Sequence, residues 1–409
     1  MPDNTMQTPS ENAKTAVPPS EEVEISVVMP CLNEADTIAV CVDKALRAMR
    51  ENGIVGEVIV ADNGSTDDSR RIAREHGARV ADVVEKGYGN ALMGGIAAAK
   101  GRFILMGDAD DSYDFLELPN FVEKLREGCE IAQGCRLESG GGHVEKGAMP
   151  FLHRYWGNPM FTMLVRKWFG AHIHDVYCGL RGFTKEAYEK LSLRCTGMEF
   201  ATEMIIKAAL TKMKISEVPI TLHPDGRKAH KPHLRTFRDG WRTLRFFLLY
   251  CPRELYVMPG LALGGLGALI YLVVLWKARF MGVNVGPHSL LVASLCIIMG
   301  YQSILFGALT KLFAIGEGML PEDRKSDIIR KYTSLERGLV LGASSTVVGL
   351  ALIAVAFVHW VRVDFGPLEY ASTMKLVVPG VMLAALGFQT ILASFFFSLL
   401  GMRRKHEGK

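Results

Sequence analysis

Four apolar runs near the C-terminal end constrain this chain more than any other feature. A segment needs roughly 20 mostly apolar residues to cross the hydrocarbon of a bilayer. The runs at about 256–276, 290–313, 339–360 and 376–400 each reach that length. Apolar residues make up 49% of the 409-residue chain, and they are unevenly distributed. The first 250 residues or so carry charges throughout and read as a water-soluble α/β domain. Two folding units are therefore expected, one soluble and one membrane-embedded.

The basic residues give the expected orientation. Lys311, Arg324, Lys325, Arg330, Lys331 and Arg337 lie around the second connection, and Arg403, Arg404 and Lys405 follow the last run. The first and third connections hold few basic residues. By the positive-inside tendency, the soluble domain, the second connection and both termini are expected on the cytoplasmic side. An even number of spans agrees with that arrangement. A net charge of +4 is mild and gives no reason to expect a nucleic-acid partner.

The eight cysteines contain no C-x-x-C pair and sit in segments that read as buried strands and helices. That pattern suits a reduced cytosolic domain better than a disulfide framework. Residues 1–23 are polar, acidic and Pro/Ser/Thr-containing, without the apolar core of a signal peptide, and are expected to be a disordered tail.

Between residues 25 and 110, β-branched runs alternate with helical periodicity. Strands are expected at 25–30, 57–61, about 79–84 and 102–106, with helices between them. Such alternation predicts a parallel sheet with right-handed crossovers. Ligands bind beyond the carboxyl ends of strands in sheets of this kind. Three of those ends carry polar clusters: Asn33-Glu34, Asp62-Asn63 and Asp108-Ala109-Asp110.

Residues 233–252 lie between the soluble and apolar parts. Leu234, Phe237, Trp241, Leu244 and Leu248 form one helical stripe, with Arg235, Arg238, Arg242 and Arg245 beside it. A basic amphipathic helix next to a span is expected in the headgroup layer. The stretch 151–169, with Arg154, Arg166 and Lys167, is a second candidate for membrane contact.

The pair Asp108 and Asp110 places two carboxylates on one side of an extended chain. Like charges that close are costly unless a cation joins them. Mg²⁺ or Mn²⁺ takes oxygen ligands and commonly bridges carboxylate to phosphate. His172 and His174, two residues apart beside Asp175, suit a zinc site only in particular strand geometries. The turn Gly87-Tyr88-Gly89-Asn90 lacks the G-x-G-x-x-G spacing of a dinucleotide fingerprint.

The ordered set Val27-to-Glu34, Asp62-to-Asp67 and Asp108-Ala109-Asp110 resembles family 2 of the glycosyltransferases. The later run Asp175-to-Phe183, followed by terminal spans, is similar to its polyprenyl-phosphate branch. That branch includes dolichol-phosphate mannose synthases and bactoprenol glucosyltransferases. The resemblance implies a GT-A (Rossmann-like) α/β catalytic domain at 24–232; amphipathicity and hydropathy give an interface helix at 233–252 and an all-α transmembrane domain of four helices at 253–402, which is compatible with the family. A basic tail at 403–409 completes the chain. It implies transfer of a hexose from a nucleotide-sugar to a polyprenyl phosphate, with inversion, at a membrane such as the bacterial inner membrane. A UDP-hexose such as UDP-glucose is favoured over GDP-mannose, and a homo-oligomer is compatible with it.

By the same resemblance, Pro30, Asn33, Glu34, Asp62, Asn63, Asp108 and Arg136 bind the nucleotide-sugar, and Asp108 and Asp110 hold the metal. Asp110, Asp175 and Arg181 are the candidate catalytic residues. Glu199 or Glu203 supports the acceptor site or acts as a core carboxylate. Arg227, Lys228 and Lys231 form a basic loop for the diphosphate or the lipid phosphate, where negative charges must be neutralised. Mannose synthases often have glutamine where this chain has Ser112. A processive polysaccharide synthase would share the early motifs, but its Q-x-x-R-W run is absent.

Overall fold

The computed structural model describes residues 22–227, 236–276, 279–280, 283–284, 286–323, 326–329 and 334–401. The chain divides into two compact units. The first comprises residues 1–148, 178–188 and 216–231; the second comprises 149–177, 189–215 and 232–409. The units therefore do not part at a single point near residue 232, because two stretches before it group with the apolar helices.

The first unit is built on a seven-stranded sheet. Its strands are β1 (Ile25–Cys31), β2 (Gly56–Asp62), β3 (Arg79–Asp82), β4 (Phe103–Met106), β5 (Ile131–Cys135), β7 (Arg181–Thr184) and β8 (Ile215–Pro219). The order across the sheet is β3-β2-β1-β4-β7-β5-β8. The first four expected strands are present and parallel, with Val28 opposite both Ile59 and Met106. The sheet as a whole is mixed rather than parallel, because β7 runs antiparallel to both β4 and β5. No local periodicity signals that reversal, since the direction of β7 is set by a long connection rather than by its four residues. A small parallel pair, β6 (His143–Val144) with β9 (Thr221–Leu222), lies outside this sheet.

Every residue of β1 except Pro30 is buried, as a central strand covered on both faces requires. Helix α1 (Ile38–Glu51) buries Ile38, Cys41, Val42, Ala45, Ala48 and Met49. These fall at helical spacing on one stripe, and each fully buried large aliphatic contributes about 1.5–3 kcal/mol. Helix α2 (Ser69–Glu75) follows β2, and α3 (Tyr88–Ala98) follows β3. Helix α3 comes close to the sheet at Gly95, where a Cβ would stand 2.5 Å from Val28 Cγ1. Helix α4 (Leu118–Arg126) and the short α6 (Lys185–Leu191) complete the helices around this sheet. The parallel pairing of β1 with both β2 and β4 leaves the carboxyl ends of these three strands as neighbours.

In the second unit, α5 (Asn158–Phe169), α7 (Glu199–Leu210) and α8 (Thr236–Tyr250) accompany four longer helices. Those are α9 (Met258–Leu275), α10 (Ser289–Gly316), α11 (Leu335–Arg362) and α12 (Tyr370–Gly401). All four belong to segments long and apolar enough to cross a membrane. Large apolar side chains such as Val340, Leu341, Val347, Val355 and Phe357 point outward. That is costly in water and ordinary in lipid, where packing rather than water exclusion joins helices. Close packing is visible at Gly349 and Gly380, where a Cβ on either would meet backbone atoms of the other helix. Tyr271 bonds Ser294 between α9 and α10 at 2.6 Å, and Tyr301 bonds Thr390 between α10 and α12 at 2.6 Å.

Candidate active site

The ends of β1 and β2 are joined by side chains of the loops that follow them. Asn33 has φ 62°, a left-handed conformation that asparagine tolerates better than most residues. Its Oδ1 accepts from the Thr66 N–H at 2.8 Å, while its own N–H donates to Ser65 Oγ at 2.9 Å. Ser69 Oγ accepts from the Glu34 N–H at 2.8 Å. Pro30 is the one residue of β1 that is only partly buried.

Asp62 is buried and accepts from the N–H groups of Gly64 and Ser65 at 3.0 and 3.1 Å, closing its own turn. Asn63 is also buried. Its amide donates to the carbonyls of Val83 and Glu85 at 3.2 and 2.7 Å and accepts from the Gly87 N–H at 2.7 Å. Asn63 therefore ties the β2 end to the loop before α3.

Beyond β4, Asp108 and Asp110 follow Gly107. Tyr88, at the start of α3, donates its hydroxyl to Asp108 Oδ1 at 2.8 Å. Burial and the charge of Asp110 push the Asp108 carboxyl up to about 6, and the Tyr88 hydrogen bond opposes them. Asp110 Oδ1 accepts from Ser112, at 3.1 Å from its N–H and 2.6 Å from its hydroxyl. Gly179 borders the same carboxylate: a Cβ there would stand 2.9 Å from Asp108 Oδ2 and 3.1 Å from the Tyr113 ring. Tyr113 in turn accepts the Gly179 N–H at 2.8 Å.

Arg227 reaches this cluster from a loop almost 200 residues later in the chain. Its Nε and Nη2 donate to Glu34 at 2.7 and 2.6 Å, as a two-pronged pair. Its Nη1 lies 2.9 Å from Asp225 Oδ2 and 3.3 Å from Asp110 Oδ2. Burial opposes the guanidinium charge, but Glu34, Asp110 and Asp225 outweigh it and leave the pKa raised. Lys228 and Lys231, assigned to the same basic loop from sequence, lie outside the described residues.

Arg136 and Arg181 are both buried in the first unit. Arg181 begins β7 opposite Met106 and Gln133, and its Nη2 donates to the Cys178 carbonyl at 2.6 Å. The structure therefore gathers Asn33, Glu34, Asp62, Asp110 and Arg227 through direct bonds or shared loops, with Asp108 beside them.

The two acidic residues Asp108 and Asp110 suit a divalent cation. They present a like-charged carboxylate pair, and the other ligands would come from phosphate and water. Among the described residues, no group of three or more His, Cys, Asp or Glu is arranged to hold a metal. His172 and His174 thus form no such group with Asp175.

The remaining sequence candidates belong to the second unit. Asp175 is fully buried, and its Oδ1 accepts the Tyr177 N–H at 3.1 Å. Glu199 opens α7 and lies 3.3 Å from Arg242. Glu203 has both oxygens engaged. One faces Lys207 at 2.9 Å and Tyr250 at 3.2 Å, and the other accepts the N–H groups of Arg194 and Cys195. Burial would raise its pKa, but these partners prevail and lower it. Its bonds are those of a core carboxylate.

On α8, Phe247 and Tyr250 are buried while Trp241, Arg242 and Arg245 are exposed. Leu234 and Arg235 lie outside the described residues, as do the side chains of Phe237 and Arg238. Phe161 and Phe169 of α5 pack edge-on against Phe247. The opposite side of that stretch exposes Phe151, Leu152, Tyr155, Trp156, Met160 and Met163, with Arg166 and Lys167 at its end.

Sequence reasoning missed three members of the first-unit site: Tyr88, Gly179 and Asp225. The Gly-Tyr-Gly turn was the one available signal for Tyr88. Gly179 lies inside the Asp175-to-Phe183 run without being singled out there, and nothing local marks Asp225; the contacts of both come from across the fold.

Comparison with known proteins bears on this arrangement. The family described as glycosyl transferase family 2 matches residues 26–192, and its C-terminal transmembrane region matches residues 308–401. A low-salt glycan biosynthesis hexosyltransferase of Haloferax volcanii is 37% identical over 383 residues, covering 92% of this chain and 89% of the relative. A dolichyl-phosphate hexose transferase of the same organism is 30% identical over 232 residues, covering 56% and 95%. A dodecaprenyl-phosphate galacturonate synthase of Rhizobium johnstonii is 25% identical over 323 residues, covering 76% and 93%.

Proposed function

The chain belongs to glycosyltransferase family 2, as a membrane hexosyltransferase with a GT-A core, and from that premise we propose that it transfers a hexose from a nucleotide-sugar to a polyprenyl phosphate. The observation that carries the donor half is the carboxylate pair Asp108/Asp110 with Arg227 beside it, at the carboxyl ends of the parallel strands. A nucleoside diphosphate leaving group needs charge neutralisation there. Asp108 and Asp110 would hold Mg²⁺ or Mn²⁺, which would supply that neutralisation when bound. UDP-glucose is the favoured donor, with GDP-mannose next.

The acceptor half is supported by the relatives that act on prenyl-phosphate lipids and by the second unit's exposed apolar face at 151–163. Tyr155 and Trp156 with nearby Arg154, Arg166 and Lys167 have the composition of an interfacial segment. Trp241 with Arg242 and Arg245 on α8 repeats it. In the reaction, a phosphate oxygen of the lipid attacks the anomeric carbon. The carbon–oxygen bond to the diphosphate breaks, its electron pair leaves with the nucleoside diphosphate, and the anomeric centre inverts. A phosphomonoester ionises a second time near pH 6, so it is already mostly dianionic and needs no general base. Asp175 accordingly acts by orienting neighbouring groups, and Arg181 with the basic loop neutralises the anions. The catalytic unit and both termini face the cytoplasm in this reading.

The deciding experiment incubates the purified protein with labelled nucleotide-sugars and polyprenyl phosphate. A lipid-linked monosaccharide is expected. A long polymer, or no transfer from any donor, would overturn the proposal.

A further inference from the structure

The loop that carries Asp108 and Asp110 is held from outside, and its holders on one side come from a single face of α1. Thr37 stands at the N-terminus of α1, where a threonine side chain usually caps the helix. Here it makes no cap bond. Thr37 is buried and donates its hydroxyl instead to the carbonyl of Ala109, between the two aspartates, at 2.6 Å. One turn on, Cys41 is fully buried next to Asp111. Another turn on, Lys44 Nζ lies 2.9 Å from Asp111 Oδ1 and 3.7 Å from Asp114 Oδ1. Positions 37, 41 and 44 share one helical face by their spacing.

What they hold is an uncommon backbone. Asp111 has φ 60°, a left-handed conformation that carries a steric cost for aspartate and none for glycine. On the other side, the Gly226 N–H donates to the Asp110 carbonyl at 3.0 Å, and the His223 N–H donates to the Ser112 carbonyl at 2.9 Å. Asp110 therefore sits between two anchored neighbours, Ala109 on Thr37 and Asp111 on Lys44. Partners that orient a metal ligand from behind typically change metal affinity 10- to 100-fold, about as much as the orientation they fix.

We propose that Thr37 and Lys44 are positioning residues for the metal site: they hold the 109–111 backbone so that Asp110 is aimed at the cation, and they touch neither cation nor substrate. This rests on the reading of Asp108 and Asp110 as metal ligands. Lys44 has a rival description, as a partly exposed ion pair that merely offsets the charge of Asp111. The two descriptions predict opposite signs. Removing a nearby positive charge favours a bound cation, whereas removing a support weakens its binding.

The test titrates Mn²⁺ into the purified full chain with UDP or GDP, following free Mn²⁺ by electron paramagnetic resonance. Melting of the metal-free protein is recorded alongside. Lys44→Met is expected to weaken Mn²⁺ about fivefold, and Thr37→Val, which leaves the Ala109 carbonyl without its donor, about tenfold. Thr37→Ser and Lys44→Arg keep the donor and the charge and should stay within about twofold of wild type. The decisive variant adds Asp111→Gly to Lys44→Met. Glycine takes φ 60° freely, so binding should return to within about twofold of wild type, although losing a carboxylate would on charge alone weaken it further. If Thr37→Val does not fold, the variants at partly exposed Lys44 and Asp111 carry the comparison. Mn²⁺ binding that is unchanged or tighter in Lys44→Met, or weakened further by Asp111→Gly, would overturn the positioning role. So would a lowered melting temperature with Mn²⁺ affinity intact. A wild type that binds no Mn²⁺ with either nucleotide would overturn the metal-site reading itself, and this inference with it.

Discussion

Replacing Tyr88 by phenylalanine isolates one hydrogen bond at the expected metal site. The ring stays, and the lost interaction is the hydroxyl's donation to Asp108 Oδ1 at 2.8 Å. Hydrogen bonds to charged groups are worth about 1.5–3 kcal/mol, and Tyr88 is half-buried, so the lower figure applies. A cost of about 1.4 kcal/mol is tenfold in an equilibrium constant. The loss should be felt where Asp108 must hold one orientation, in the complex with metal and nucleotide. Mn²⁺ titration in the presence of UDP should therefore give a Kd about tenfold weaker than wild type, with a thermal stability loss of about 1 kcal/mol. A stability loss with Mn²⁺ binding unchanged would mean that Asp108 does not touch the metal. Tighter Mn²⁺ binding would mean that Tyr88 competes for the ligand oxygen. Either result refutes the reasoning.

Asp110→Asn should lower turnover by about 100-fold or more, with EDTA reproducing the loss in the wild type; full activity of the variant in excess EDTA would exclude the metal role. A cysteine at exposed Asp327 should be labelled only from the cytoplasmic side and one at exposed Glu369 only from the opposite side, and labelling of both from one side would break the topology. Trp156→Ala with Met160→Ala should impair transfer to long-chain lipid acceptors more than to short soluble analogues, an equal loss marking a packing role instead. Glu24, bonded to Arg126 and Arg102, has its pKa lowered from 4.5 to about 2, principally by the Arg126 hydrogen bond. A depressed carboxylate pKa stabilises the fold above about pH 4.5 and loses that contribution as pH falls toward 2. With both arginines exposed, Glu24→Gln should cost about 1 kcal/mol at neutral pH, and the gap from wild type in melting experiments should narrow below about pH 4.5.

Features that depend on short stretches could be read directly from the residues. Burial of β1 follows from Ile25, Val27, Val28 and Met29 in one run, and the stripe on α1 follows from Ile38, Cys41, Val42 and Ala45. The four long helices follow from apolar runs that only lipid can accommodate. The polar ends of β1, β2 and β4 were equally legible, because alternating strands and helices bring those ends to one edge. Other features required the tertiary structure, because they join parts of the chain that carry no mutual signal. The reversal of β7, the contact of Tyr88 with Asp108 and the space kept by Gly179 all depend on partners distant in sequence. The clearest case is Glu34, which lies 193 positions from the arginine that engages both its oxygens. Folding decides which donors reach a carboxylate.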